Sequence, residues 1–254
     1  MKLACTLALL LALPASIPVL ASDTVPASIR GAVSDKSRPA ADTQRDEQRK
    51  PAETLAFAGV KPGNTVIELM PGGGYYTRLL SKVVGAKGHL YAVVPALRAD
   101  APPGTPDRSL PIKAIVAESG YDNINVLVQP IRTQQLPSGA DLVWTSDNYH
   151  DLKNVQGLDL MVFNKSVFDA LKPGGVYLIV DHAAAADAPA DVTSTLHRIR
   201  VDTVKQDLLA AGFVLDAQSD ILHNTTDAHN LPVFDEAVRG KTDQFILRFK
   251  KPKK

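Results

Sequence analysis

The sequence predicts an α/β fold: a doubly wound, mostly parallel sheet with an antiparallel last strand. Two patterns along the chain predict it. Short apolar runs of strand length alternate with stretches of helical apolar spacing through five successive units. The chain then closes on two strand-like runs joined by a polar, irregular segment. A third observation is local. Pro71-Gly72-Gly73-Gly74 directly follows the first apolar run, at the turn where such sheets bind their ligands.

The bulk numbers agree. The chain has 254 residues, 45% hydrophobic and 22% charged, ordinary for a globular protein. A formal charge of +1 supplies no global field that would argue for nucleic acid or an acidic partner. The terminal KKPKK reads as a solvated chain end.

Residues 1–21 read as a secretory signal peptide, with one Lys, an apolar run and small residues before a cleavage point after Ala21. Pro14 and Pro18 oppose a membrane span. The expectation is a periplasmic or secreted protein with no membrane span in the mature chain. Cleavage would remove Lys2 and no acid, taking the formal charge from +1 to 0. It would also remove Cys5, the only cysteine, leaving no disulfide and no thiolate nucleophile. Residues 22–39 lack periodicity and read as a linker or docked arm. Residues 40–254 form the expected domain.

That domain opens with a helical pattern from Pro39 to Ala58, which Asp42-Thr43 can cap. Lys61 to Asn64 is a turn, and Thr65 to Met70 a buried strand. Tyr75 to Val84 is a helix with Leu79, Leu80, Val83 and Val84 inward. His89 to Val94 is the second strand. Four prolines make residues 95–110 a loop. A short helix follows at Ile112 to Gly120, then strands at Asn125 to Val128 and Ala140 to Thr145. Val155 to Leu171 has helical spacing, LKPGG is a turn, and Val176 to Val180 is the fifth strand. Leu196 to Ala211 is the last helix. Phe213 to Leu222 and Asp243 to Lys250 are the final strands.

The glycines of the first loop let the backbone turn tightly and approach a ligand with no Cβ in the way. The following helix offers the positive end of its dipole. A dinucleotide fingerprint needs a third glycine where Thr77 stands, and its acid follows the loop, whereas Glu68 precedes it. NAD is therefore disfavoured.

An acid ending the first strand, then a glycine loop, resembles the class I S-adenosylmethionine-dependent methyltransferases. Their acid-x-Gly-x-Gly-x-Gly motif falls here on Glu68, Met70, Gly72 and Gly74, with Met70 in place of the first glycine. VKPGNTVIEL, GHLYAVVP, ADLVWTSDNYHDL, ALKPGGVYLIVDH and AAGFVL extend the resemblance, in order, over most of residues 50–250. The tyrosine-rich loop, SDNYHDL, TLHRI and TDQFILRF are similar to a subgroup of exported methyltransferases without an assigned substrate. The resemblance implies a Rossmann-like, seven-stranded sheet. It implies S-adenosylmethionine as cofactor, held by Glu68, Gly72, Gly73, Gly74 and Asp147, and in-line transfer of its methyl to a small molecule or envelope component. The family's acid after strand two is replaced by Val94, and the one after strand three by Gln129-Pro130. Asp100, Glu118 or backbone would have to substitute.

Asp147, Asn148, Tyr149, His150 and Asp151 follow the fourth strand at the sheet's carboxyl edge. His150 is the candidate general base, with Asp147 or Asp151 orienting it. His182 and His197 are expected at the same edge. Three histidines and a carboxylate suit zinc or iron, but no tight ligand spacing supports such a site and no metal is assigned. His223, Asp227 and His229 lie in a stretch that reads as a hydrated loop or substrate lid. Two other functions fit the residues. One is a non-catalytic metabolite-binding module on the same fold, favoured by Met70 and Val94. The other is a metal-dependent enzyme of another class. Gly74→Val is expected to block the ligand without unfolding the domain.

Overall fold

The computed structural model describes residues 25–253; the expected signal peptide lies outside them. Four short helices precede the sheet: α1 (Ala27–Val33), α2 (Ala40–Thr43), α3 (Asp46–Arg49) and α4 (Pro51–Ala58). Then come β1 (Thr65–Leu69), α5 (Tyr75–Val84), β2 (His89–Pro95), α6 (Leu110–Val116), β3 (Ile124–Gln129) and β4 (Ala140–Ser146). α7 (Tyr149–Leu152), α8 (Leu160–Ala170), β5 (Leu171–His182), α9 (Val192–Thr195), α10 (Val201–Ala210), β6 (Val214–Ser219) and β7 (Gln244–Lys250) complete the chain.

The seven strands form one sheet in the order β3-β2-β1-β4-β5-β7-β6. β1 to β5 pair in parallel, and β7 runs antiparallel to both β5 and β6. The antiparallel strand is therefore last in sequence but internal in the sheet, and β6 forms the edge. The alternation of side chains along a strand divides the core in two. Val66, Leu142, Trp144 and Leu178 join the layer under α1, α4 and α5. Ile67, Val143, Tyr177 and Phe249 join the layer under α8 and α10. The strand order reverses between β1 and β4, which opens a crevice at their carboxyl ends.

LKPGG, expected as a turn, opens β5, and α8 starts at Leu160 rather than Val155. Three other segments depart from the expected pattern. The Pro39 to Ala58 stretch is three helices, and the break between α3 and α4 falls where Pro51 disfavours right-handed helical backbone at Lys50, which takes φ 40°. Ala27–Val33 is helical, and Ile29 is fully buried in the α5 layer, so this part of the expected arm is docked. α10 starts at Val201 because the preceding residues pair elsewhere. Ile199 bridges Ala183 in parallel, and His197 sits at φ 54°.

The segment between β6 and β7 is packed as well as polar. Arg198 is fully buried, and its guanidinium donates to Asp227 at 2.7 and 3.1 Å and to Leu231 O at 3.0 Å. Asp243 accepts from His223 and His229 at 2.7 and 2.9 Å. Burial raises the Asp227 carboxyl pKa, but Arg198 and two backbone N–H donors hold it below the ordinary carboxylate value. No helix among the described residues is long and apolar enough to cross a membrane.

Candidate functional site

The crevice holds a cavity of about 590 Å³, a volume typical of small-molecule sites. Its floor is the β1–α5 loop. Gly72 and Gly73 line the wall, and a Cβ at either would meet nothing within 4 Å. Gly74 plays another part. Its φ is 83°, and a Cβ there would lie 2.1 Å from Ile115 Cδ1 and 3.2 Å from Ile112 Cδ1. It lets α5 start against α6 and is outside the cavity wall. Valine at Gly74 would thus strike the core, and the expected block of the ligand's place gives way to a packing clash.

Met70 takes φ 52°, a left-handed backbone that favours glycine. A non-glycine residue therefore holds a backbone that glycine would adopt without strain. Met70 N donates to Val93 O at 2.9 Å, and Asn148 Nδ2 donates to Met70 O at 3.0 Å. These bonds tie the loop to β2 and β4.

Glu68 sits opposite Ala92 and Trp144 in the register, on the face that α5 covers. It is buried and lines the cavity. Thr77 Oγ1 donates to its Oε2 at 2.6 Å. Burial raises its carboxyl to about 8, and the Thr77 bond only partly opposes this.

Two further residues line the same wall from β4, each with a buried polar atom. Trp144 Nε1 and Ser146 Oγ are buried with no hydrogen-bond partner among the described residues. Buried polar atoms are almost always satisfied, so an unpaired pair in a cavity wall points to a ligand. Sequence reasoning missed both. Their signal is the two-residue period of β4, which puts Trp144 and Ser146 on the Glu68 face.

Asp147 lines the cavity at φ 59°. Its Oδ2 accepts from Arg49 at 2.8 Å and its Oδ1 from Gln244 at 2.6 Å. Arg49 also lies 5.0 Å from the Tyr75 ring centre and 5.7 Å from that of Tyr76. Arg45 and Arg49 thus bring the N-terminal helices over the cavity. Both tyrosines are buried, and Tyr75 donates to Asp46 at 2.7 Å. Neither arginine carries a local sequence signal. Val94 lines the wall where the family's acid would stand. Asp100 pairs with Arg98 and lies outside this wall, as does Glu118. The acid that reaches it is Asp107, from the proline-rich loop.

His150 stands behind the wall, buried, while its neighbour Asp151 lines it. The partner of His150 Nδ1 is neither Asp147 nor Asp151 but the fully buried Asp181, at 2.7 Å. Asp181 also accepts from the His150 backbone N–H at 2.8 Å. Burial lowers the His150 pKa, but Asp181, Asp151 and Asp147 together hold it above the ordinary histidine value. His182 is held below that value by burial. The three histidines do converge: the His150 ring centre lies 6.1 Å from that of His182 and 5.6 Å from that of His197.

Comparison with solved structures decides the fold. A methyltransferase dependent on S-adenosylmethionine from Aquifex aeolicus superposes with a TM-score of 0.59 at 20% identity, over 85% of this chain and 99% of that one. One from Mesorhizobium loti gives 0.54 at 15% identity, over 81% and 99%. One from Clostridium acetobutylicum gives 0.53 at 12%, over 79% and 88%. The chain has the methyltransferase fold. No protein-family model and no curated protein matches it.

Proposed function

We propose that the chain is an S-adenosylmethionine-dependent methyltransferase acting on a small molecule or an envelope component. The observation that carries this reading is the composition of one wall. Open glycines, a buried acid and two unpaired donors meet at the switch point of a methyltransferase fold. These residues fit the cofactor. Gly72 and Gly73 admit its backbone-hugging amino acid part. Glu68, deprotonated by a nearby cation, pairs with its ammonium group. Trp144 Nε1 and Ser146 Oγ donate to its polar atoms, and Asp107 takes the ribose side that Val94 leaves apolar.

When bound, the cofactor supplies an electrophilic methyl group on sulfur. The protein's own task is positioning, the main requirement of an in-line displacement. Arg49 and Asp147, paired with each other, line the cavity and fix its wall opposite the loop. Asp151 is the member of the histidine and acid cluster that reaches the acceptor end. The apolar run of residues 1–21 supports export, which makes an acceptor outside the cytoplasm part of this reading.

The test is calorimetric titration of the purified chain with S-adenosylmethionine and with S-adenosylhomocysteine. Micromolar binding of both is expected, and its absence in a folded sample would overturn the proposal. Val94 favours a second reading, a binding module without turnover. Binding of both ligands with no methyl transfer to any acceptor pool would select it.

A further inference from the structure

We propose that His150, Asp151 and His197 form a three-ligand site for a divalent transition-metal ion at the rim of the cavity. His150 Nε2 lies 3.4 Å from Asp151 Oδ1, and His197 Nδ1 lies 3.6 Å from the same oxygen. All three ligand atoms lie within 4.8 Å of one another. Around a tetrahedral zinc with bonds of about 2.0–2.1 Å, ligand atoms are about 3.3 Å apart. Two edges of the triangle are therefore close to the required length already. The third closes by a small rotation of His197, whose side chain is one-third exposed.

The outer contacts are those a ligating histidine needs. Asp181 accepts from His150 at Nδ1, so the lone pair is left on Nε2 and aimed at Asp151. Nε2 makes no hydrogen bond among the described residues. Asp181 is itself fixed by full burial and by the backbone N–H groups of His150 and His182, each at 2.8 Å. The Phe234 ring packs against His197 at 4.9 Å between centres and limits its swing. His182 is excluded from the set. Its Nδ1 lies 2.8 Å from Thr242 Oγ1, and its Nε2 is 4.0 Å from Asp147.

Two neutral imidazoles and one carboxylate suit zinc and the neighbouring first-row metals. Three protein ligands leave positions open, as catalytic rather than structural sites do. Asp151 lines the cavity above the β1–α5 loop and also the hollow that contains Leu97 and Arg98. An ion here would present its open positions to water or to an oxygen of whatever occupies those hollows. The site stands independently of the methyl-transfer reading.

The alternative occupant is a proton on Nε2 facing Asp151, with Asp181 accepting from Nδ1. Zinc binding separates the two. The untagged full chain, stripped with chelator, is titrated with zinc against a chromophoric competitor. Cobalt absorption then reports the coordination. One equivalent of zinc bound below micromolar Kd is expected. His197→Ala and Asp151→Asn should each weaken it by on the order of 100-fold, with the circular dichroism spectrum unchanged. His223→Ala, in the separate His223-Asp243-His229 group, should leave it unaltered. No stoichiometric binding by a folded chain overturns the proposal. So does zinc binding that survives His197→Ala and Asp151→Asn.

Discussion

The two sides of the sheet's carboxyl edge are assembled in different ways. On the β1 side, ten consecutive residues from Glu68 to Thr77 make the loop, the buried acid and its hydrogen-bond donor. Its chemistry lies in the backbone: positive φ at Met70, Gly72 and Gly74, and open space above Gly72 and Gly73. On the β4 and β5 side, the working groups come from separate stretches, at 147–151, 181–182 and 197. Its chemistry lies in side chains that meet only after folding. A motif held within one turn survives a change such as Met70, because neighbouring bonds enforce the backbone. A cluster drawn from three segments depends on each segment being placed.

The sharpest way to break the loop side is Gly74→Val. Overpacking against Ile115 and Ile112, together with a side chain at φ 83°, should cost about 3–5 kcal/mol. Denaturant unfolding measures it. A cost under about 1 kcal/mol would show that α6 yields freely at this contact.

Gly73→Val isolates binding from folding. Its φ is not left-handed and a Cβ there meets nothing, so stability should hold. Affinity for S-adenosylhomocysteine should fall by on the order of 100-fold or more, since a branched side chain would stand in the cavity. Unchanged affinity in calorimetry would remove this wall from the site.

Glu68→Gln tests the buried acid. The folded carboxyl titrates near 8, against 4.5 when unfolded. Below the unfolded value both states are protonated, and the acid carries no penalty. As pH rises toward 8 the unfolded chain releases its proton while the folded one keeps it. Stability is then lost at about 1.4 kcal/mol per pH unit. The glutamine variant should therefore match the parent near pH 4 and exceed it increasingly up to pH 8, while binding a cationic ligand more weakly. Melts at a series of pH values check the first part. A constant gap would mean that the carboxyl is ionised in the fold.

The smallest effect belongs to Met70→Gly. Relief of a left-handed backbone gains about 1 kcal/mol, and the freer unfolded chain gives back about as much. Ligand affinity should be retained. A loss well above 2 kcal/mol would show that the thioether, packed against the core layer under α8 and α10, matters more than the turn.

The sequence carried much of this in advance. The helix from Tyr75 to Val84 has the bounds that its spacing gives. Strand cores are found where the apolar runs are, because burial on both faces leaves a continuous signal. Misplaced starts at α8 and α10 fall where turns and a lone bridge use residues of helical character. In the site, Glu68, Gly72, Gly73, Asp147 and Asp151 were legible as cavity residues. Gly74 was legible as a required glycine but for the wrong reason. Arg49, Asp107 and Asp181 as the partner of His150 were not. Each depends on a contact across tens of residues, and spacing carries no record of it.

The sequence by itself determined the alternation of strands and helices, the glycine turn and the acid before it, because these follow from local backbone preference and hydrophobic period. Only the tertiary structure decided that β7 lies inside the sheet, that Arg45 and Arg49 reach the cavity from the N-terminal helices, and that His150, Asp151 and His197 meet. Those outcomes rest on long-range packing, where burial of many weakly specified side chains selects one arrangement and brings distant polar groups to a common point.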